Sequence, residues 1–333
     1  MKRIILLCCL IFLVSCKKNQ TPDVSFYFWK TNLKLTAFEK KTLQENEVSK
    51  LYVRYFDVGL TDRKPFPVAP ISINENLEKL KIVPVVFFKN EVFLDQEINI
   101  ETLAQNVLNL ICQINAKHKI AINEIQIDCD WSLKSQPKYF EFIEKMKKKS
   151  GCKISATIRL HQIKYSEQTK IPNVTTGVLM LYNMGKLAAD DKNSIYDAQV
   201  TEQYIKSLKK YPLSLKVALP IFSWAIQIRN NQVVNLISKV NNSNFTSDKN
   251  FVNYKDNFFK VKENTLKMGL YFKKGDVIKI ENVSKENLKE MMKQLHQNLK
   301  TTPEEIIYYD LDEINLKQYS NDSSFFKKCN SWF

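Results

Sequence analysis

The chain has 333 residues and a formal net charge of +15, from 50 lysines and arginines against 35 aspartates and glutamates. Hydrophobic residues make up 44% and glycine only 6 positions, which excludes a disordered or collagen-like polymer. Three histidines make a histidine-rich metal centre unexpected, and no metal or cofactor is expected. The lysines are spread along the chain with no arginine-rich block, so the charge reads as a solvated surface able to attract anionic lipid or glycan, without nucleic acid as a partner.

At the N-terminus, Lys2 and Arg3 precede an apolar run from Ile4 to Val14, and Ser15 stands directly before Cys16. This is the pattern of a secretory signal. The run is well short of the roughly 20 residues that span a bilayer, and Lys17 and Lys18 follow at once. Leu13-Val14-Ser15-Cys16 resembles the lipobox of bacterial lipoproteins, which implies cleavage before Cys16 and lipid (diacylglyceryl, then an acyl chain such as palmitate) on that residue. Two or more chains are what stable anchoring requires. The expected organisation is a signal peptide over 1–15, lipidated cysteine and tether over 16–23, and a folded domain over 24–333. The expected place is the cell envelope, on the outer membrane, with the leaflet open.

Eight runs of strand length follow, with helical patterns or loops between them: Val24 to Thr31, Lys50 to Gly59, Ile82 to Phe88, Glu124 to Trp131, Lys153 to Gln162, Gly177 to Gly185, Leu215 to Trp224 and Ile306 to Asp312. Helices are predicted from Leu33 to about Gln44, Glu101 to His118, Tyr139 to Lys149, Ala198 to Tyr211, and Lys285 to Leu299 with Ser284 as N-cap. Strands alternating with helices imply a parallel sheet, and eight of them fit a (β/α)8 TIM barrel. The stretch 225–283 reads instead as a small β-rich insertion between strands seven and eight, with hairpin turns at Asn230-Asn231 and Lys274-Gly275. Its polar run from Asn241 to Asn250 is expected to be a mobile loop. Cys112, Cys129, Cys152 and Cys329 show no C-x-x-C spacing; Cys112 and Cys129 are expected to be small buried apolar residues, and no disulfide is expected.

Alternate residues of a strand share a face, so strand four places Gln126, Asp128 and Asp130 on one side and Ile125, Ile127 and Cys129 on the other. The apolar side must meet the helices, which points the polar side into the barrel, with Asp130 nearest the C-terminal mouth where barrel enzymes keep their sites. Strand five repeats the split, with Ser155, Thr157, Arg159 and His161 facing in. Strand eight adds Tyr308, Asp310 and Asp312 on one face, and strand two offers Arg54 and Asp57. Burying such groups is costly unless they pair, so they mark either a site or an internal ion network. Trp29, Trp131, Tyr182 and Trp224 fall at or near C-terminal strand ends, where they serve as sugar-stacking surfaces or as core.

Asp128-Cys129-Asp130-Trp131 resembles the D-x-D-W core of the D-x-x-D-x-D-x-E signature of family 18 glycoside hydrolases, the chitinase-like barrels. Leu179-Met180-Leu181-Tyr182-Asn183 is similar to their M-x-Y-D strand, and Ala218-Leu219-Pro220-Ile221-Phe222 to their proline-bearing strand. Their insertion domain also falls between strands seven and eight. In that family the signature glutamate protonates the leaving oxygen, while the middle aspartates orient the substrate's N-acetyl group as nucleophile. Here Ile125 replaces the first aspartate, Ser132 the glutamate, and Asn183 an aspartate. Serine cannot supply such a proton at useful pH. The chain also resembles uncharacterised barrel lipoproteins of Bacteroidota.

The expected function is that of a membrane-anchored, glycan-handling barrel. It is glycoside hydrolase-like with an altered apparatus, in which Asp130 gives the proton and Asp128 holds it in place. Trp29, Arg54, Asp57, Trp131, Arg159, His161, Tyr182, Asn183, Trp224 and Asp310 are the expected sugar contacts. The alternatives are a non-catalytic carbohydrate-binding lipoprotein and an envelope scaffold.

Overall fold

In a computed structural model of the protein, the structure describes residues 21–182 and 185–333. The signal and lipidation expectations, and that for Asn183, lie outside the described residues. Eight parallel strands form one sheet: β1 (Asp23–Phe28), β2 (Lys50–Thr61), β3 (Lys81–Phe88), β4 (Glu124–Cys129), β5 (Lys153–Arg159), β6 (Thr176–Met180), β7 (Leu215–Pro220) and β8 (Glu305–Tyr309). β1 pairs with β8 on one side, Val24 opposite Ile306, and with β2 on the other, Tyr27 opposite Tyr52, so the sheet closes on itself. The architecture is the expected (β/α)8 barrel with an extra sheet between β7 and β8.

The helices begin and end where the local chemistry directs. α1 (Ala37–Glu45) opens on a capping box between Thr36 and Glu39. α2 (Ile100–His118) is capped by Asn99, whose side chain accepts from Thr102 N at 2.9 Å. α3 (Gln136–Ser150) carries Pro137 in its first turn and stops at Gly151, whose φ of 65° suits a residue without a Cβ. α4 (Ala198–Ile205) is capped by Asp197 and continues only as a 3-10 turn over Lys206–Lys210. α5 (Lys285–Asn298) opens, as expected, on Ser284. α6 (Phe325–Asn330) closes the chain against β1 and β8 through Phe26, Tyr308 and Phe326. Among the described residues no helix is long and apolar enough to cross a membrane.

Several expectations change. β2 runs on as a hairpin, Lys64–Val68 folding back on it in the stretch between the second and third predicted strands, with Asp62 and Arg63 at positive φ in the turn. The insertion is a five-stranded antiparallel sheet with its own core, including Phe251, Phe259 and Ile278. Asn230 and Asn231 make its first turn at φ 48° and 60°. A further hairpin turns at Met268-Gly269, ahead of the predicted Lys274-Gly275. The run 241–250 is no free loop: Ser243–Thr246 is helical and Phe245 is fully buried in the insertion core. Cys112 lies exposed on α2 instead of buried, while Cys129 is buried; Cys112, Cys129, Cys152 and Cys329 are free thiols.

Candidate functional site at the barrel mouth

The barrel interior is built in layers. Nearest the N-terminal end, Lys216 of β7 contacts Glu124 of β4 at 2.9 Å, Glu305 of β8 at 3.4 Å and the Tyr52 hydroxyl of β2 at 2.8 Å. Tyr52 donates to Glu305 at 2.7 Å, Lys50 pairs with it at 2.9 Å, and Ser25 also donates to it. Burial alone would raise Glu305, but the two lysines and Ser25 hold its carboxyl below the ordinary range. This layer is a fully paired ionic floor, and none of Glu124, Lys216 and Glu305 is among the residues expected from sequence.

Above it, Tyr27 donates to Gln126 at 2.7 Å, and Thr157 donates to Asp128 at 2.7 Å. Asp128 is 4% exposed. Burial pushes its carboxyl up to about 6; Arg159 and Thr157 oppose the shift, while Asp130 and Asp57 add to it. Asp130 lies just past the end of β4, its side chain 57% exposed and ion-paired with Arg159. Of this pair the raised acid is Asp128, with burial as the chief cause and the neighbouring aspartate a smaller one. Arg54 binds Asp57 at 2.7 Å on β2, across a bulge that turns Tyr55 out to Asn115.

The other half of the mouth is aromatic. Trp29 lies 5.4 Å from Tyr309, Tyr309 stacks on Tyr182 at 5.5 Å, and Phe222 meets Tyr182 at 6.0 Å and Trp224 at 5.2 Å. In barrel order Arg54, Asp57, Asp128, Asp130 and Arg159 belong to β2, β4 and β5, and the rings to the ends of β6, β7, β8 and β1, where the charged Asp310, Asp312 and Lys30 also lie. The mouth is therefore divided into two arcs. The Tyr182 hydroxyl and the Gln126 amide nitrogen are buried without a hydrogen-bond partner among the described residues. Among the described residues no cluster of three or more His, Cys, Asp or Glu could hold a metal ion.

Two expected contacts, Trp131 and His161, sit elsewhere, and so does Tyr308. Trp131 is buried and stacks on Tyr139 of α3 at 5.9 Å, because β4 ends at Cys129 and the chain turns outward. His161 lies largely exposed on the short helix Leu160–Lys164, since β5 ends at Arg159; partial desolvation of its ring and the charge of Arg159 lower its pKa, with Asp130 opposing. Tyr308 faces α6, donating to Asn330 at 2.7 Å, so the inward residues of β8 are Glu305, Ile307 and Tyr309. Asp310, beyond the strand, accepts from Asn315 at 2.6 Å, and burial pushes it up to about 6. Asp312 caps the next helix and pairs with Lys30 and with Lys239 of the insertion. Trp224 belongs to the insertion's first strand and donates to Glu281 at 2.8 Å. Tyr309, unexpected from sequence, is the ring that joins Trp29 to Tyr182.

No family model and no curated protein sequence matches the chain. Solved structures do. The Bacillus cereus spore cortex-lytic enzyme SleL matches at TM-score 0.56 and 12% identity, over 94% of this chain and 75% of that one. A chitinase from Bacteroides thetaiotaomicron matches at 0.55 and 12%, over 88% and 90%. A mutant GH18 chitinase from Cycas revoluta in complex with (GlcNAc)4 matches at 0.51 and 10%, over 92% and 98%. At such identities the likeness is one of fold: this chain has the TIM-barrel architecture of chitinase-like proteins.

Proposed function

We propose that the protein is an envelope lipoprotein whose barrel mouth binds an oligo- or polysaccharide. The observation that carries this reading is the division of the mouth into an aromatic arc of Trp29, Tyr182, Phe222 and Tyr309 and an ionic arc of Arg54, Asp57, Asp128, Asp130 and Arg159. A pyranose offers C–H faces that stack on rings and a rim of hydroxyls that need fixed polar partners. The fold neighbours named as chitinases, one of them holding (GlcNAc)4, make that oligosaccharide the first probe.

Binding comes before hydrolysis in this proposal because no free acid stands where a leaving oxygen would need one. Ser132, at the place of the signature glutamate, is exposed and engaged with Ser135, and Asp130 is committed to Arg159. One observation favours the second reading, hydrolysis by an altered mechanism: Asp128, pushed up to about 6, carries a proton in part of the population near neutrality. Titration of the mature protein with (GlcNAc)4 and a glycan array, followed by product analysis, separates the readings. Binding without cleavage supports the first. Cleavage abolished by Asp128→Asn or Asp130→Asn supports the second. Absence of binding to any glycan overturns both in favour of a scaffold.

Anchoring is supported by the run from Lys2 to Cys16. Labelling with a palmitate analogue should mark the wild type and not Cys16→Ser; equal label in both would overturn it.

A further inference from the structure

We infer that the N-terminal face of the barrel is a docking surface for anionic phospholipid headgroups, seating the protein with its saccharide-binding mouth directed away from the bilayer. The inference rests on the lipid anchor proposed at Cys16. All eight barrel strands are parallel, so their N-terminal ends share one face, and the chain enters β1 there at Asp23. Only residues 17–22 separate Cys16 from that point. Six residues reach about 20 Å at full extension, so a lipid on Cys16 holds this face, and not the mouth, close to the membrane.

The face has the charge such a neighbour requires. Lys79, Lys81, Lys153 and Lys300 are exposed within five residues of a strand's N-terminal end or at its first position, and none is in an ion pair among the described residues. Lys79 and Lys81 lie away from any helix end, so the general preference for cations at helix C-termini does not account for them, while Lys153 and Lys300 follow the ends of α3 and α5 by three and two residues. Lys148 and Lys210, also exposed and unpaired among the described residues, sit at helix ends on the same face. The exposed acids there are Asp23, Glu47, Glu78 and Glu304, and Glu47 is already paired with Lys327. Near a negative leaflet a single lysine contributes little, so the set acts together with the anchor.

An aromatic group completes the surface. The Asn330 amide donates to the carbonyls of Pro22 and Asp23 at 2.8 and 3.1 Å, pinning the C-terminal turn beside the point where the tether enters the fold. Trp332, two residues on, is 38% exposed. Tryptophan favours the headgroup level of a membrane, where its ring is buried and its N–H stays wet. In this seating the mouth meets a polymer standing off the membrane, and a saccharide headgroup on a lipid of the same leaflet is out of reach.

Hydrogen exchange on the full, lipidated chain tests the inference, using vesicles of phosphatidylcholine alone and with phosphatidylglycerol. The expected result is slowed exchange over residues 78–81, 148–153 and 209–214 with phosphatidylglycerol only, and none over 130–135 at the mouth. The variant Lys81→Glu/Lys153→Glu/Lys210→Glu/Lys300→Glu should lose that protection. Raised salt should remove it from the wild type without any substitution. Lipid found on Cys16 by mass, together with exchange unchanged by phosphatidylglycerol or slowed at the mouth, would overturn the seating alone. No lipid on Cys16 would overturn the anchor and the seating with it. Protection of these segments by heparin but not by phosphatidylglycerol would overturn it in favour of a soluble polyanion.

Discussion

Thr157 on β5 donates its hydroxyl to the Asp128 carboxylate on β4 across 2.7 Å, and this bond, with Arg159 nearby, offsets only part of what burial costs the charge. The folded pKa of about 6 lies above the ordinary 3.8. The folded state therefore holds the proton more tightly than the unfolded state between those values, and stability contributed by this group declines as pH rises from about 4 to about 6. The loss is of order 2 to 3 kcal/mol. Asp128→Asn keeps an acceptor for Thr157 and removes the charge. Urea melts at pH 5 and pH 7.5 should show the variant gaining on the wild type as pH rises; an equal difference at both values would show that Asp128 is not the raised group.

The ionic floor makes the opposite prediction. Lys216→Met leaves Glu124 and Glu305 facing each other around an apolar side chain, with Lys50 as the remaining nearby cation for Glu305. Breaking a buried pair from one side costs about 3 to 5 kcal/mol. Denaturant midpoints should fall accordingly and recover in part in Lys216→Met/Glu124→Gln. A midpoint within error of the wild type would remove the floor from the account of what closes the barrel.

The sequence makes the barrel legible because each strand's outer face is apolar against helices: Ile125, Ile127 and Cys129 on β4, and Ile154, Ala156 and Ile158 on β5, are buried as the alternation requires. The mouth is less legible for a physical reason. Each alternating pattern runs on past the point where tertiary closure ends the strand, so Trp131, His161 and Trp224, read as lying at or next to the ends of strands, belong to a loop, a helix and the insertion. On β8 the conspicuous Asp310 and Asp312 set the phase of the reading, and both lie beyond Tyr309, where the strand ends; the inward face is that of Glu305 and Tyr309. A signal for the floor existed. Lys216 is a lone charge inside the apolar run LKVALP, and a lysine there requires a buried partner.

The two tryptophans that the sequence treats alike should separate in solution. Trp29 is half-buried beside Tyr309 at the mouth, whereas Trp131 is enclosed by Tyr139 and Phe140. Trp29→Ala should weaken oligosaccharide binding by about 1 to 2 kcal/mol, roughly 5- to 30-fold, with a small change in melting temperature. Trp131→Ala should cost about 3 to 5 kcal/mol of stability and leave the affinity of the folded fraction unchanged. Calorimetric titration beside thermal melts reads both, and the reverse assignment of the two effects would displace the aromatic arc from the site.

Arg159 is the cation that faces Asp128, Asp130 and Tyr182 together. Its charge lowers Asp128, against the larger upward effect of burial. Arg159→Gln removes that lowering influence and leaves Asp130 without its ion-pair partner. The Asp128 midpoint should therefore rise above about 6, and the pH range in which stability declines should extend upward with it. Carboxyl carbon shifts of labelled aspartate, followed against pH, measure the midpoint directly. Asp128→Asn provides the assignment, because the shifted titration must vanish in Arg159→Gln/Asp128→Asn. If the midpoint in Arg159→Gln falls or stays in place, the guanidinium does not reach Asp128, and the ionic arc is two separate pairs, Arg54 with Asp57 and Arg159 with Asp130. A rise would make Asp128, Asp130 and Arg159 one coupled unit, in which a saccharide hydroxyl that draws Arg159 away from either aspartate changes the protonation of the other.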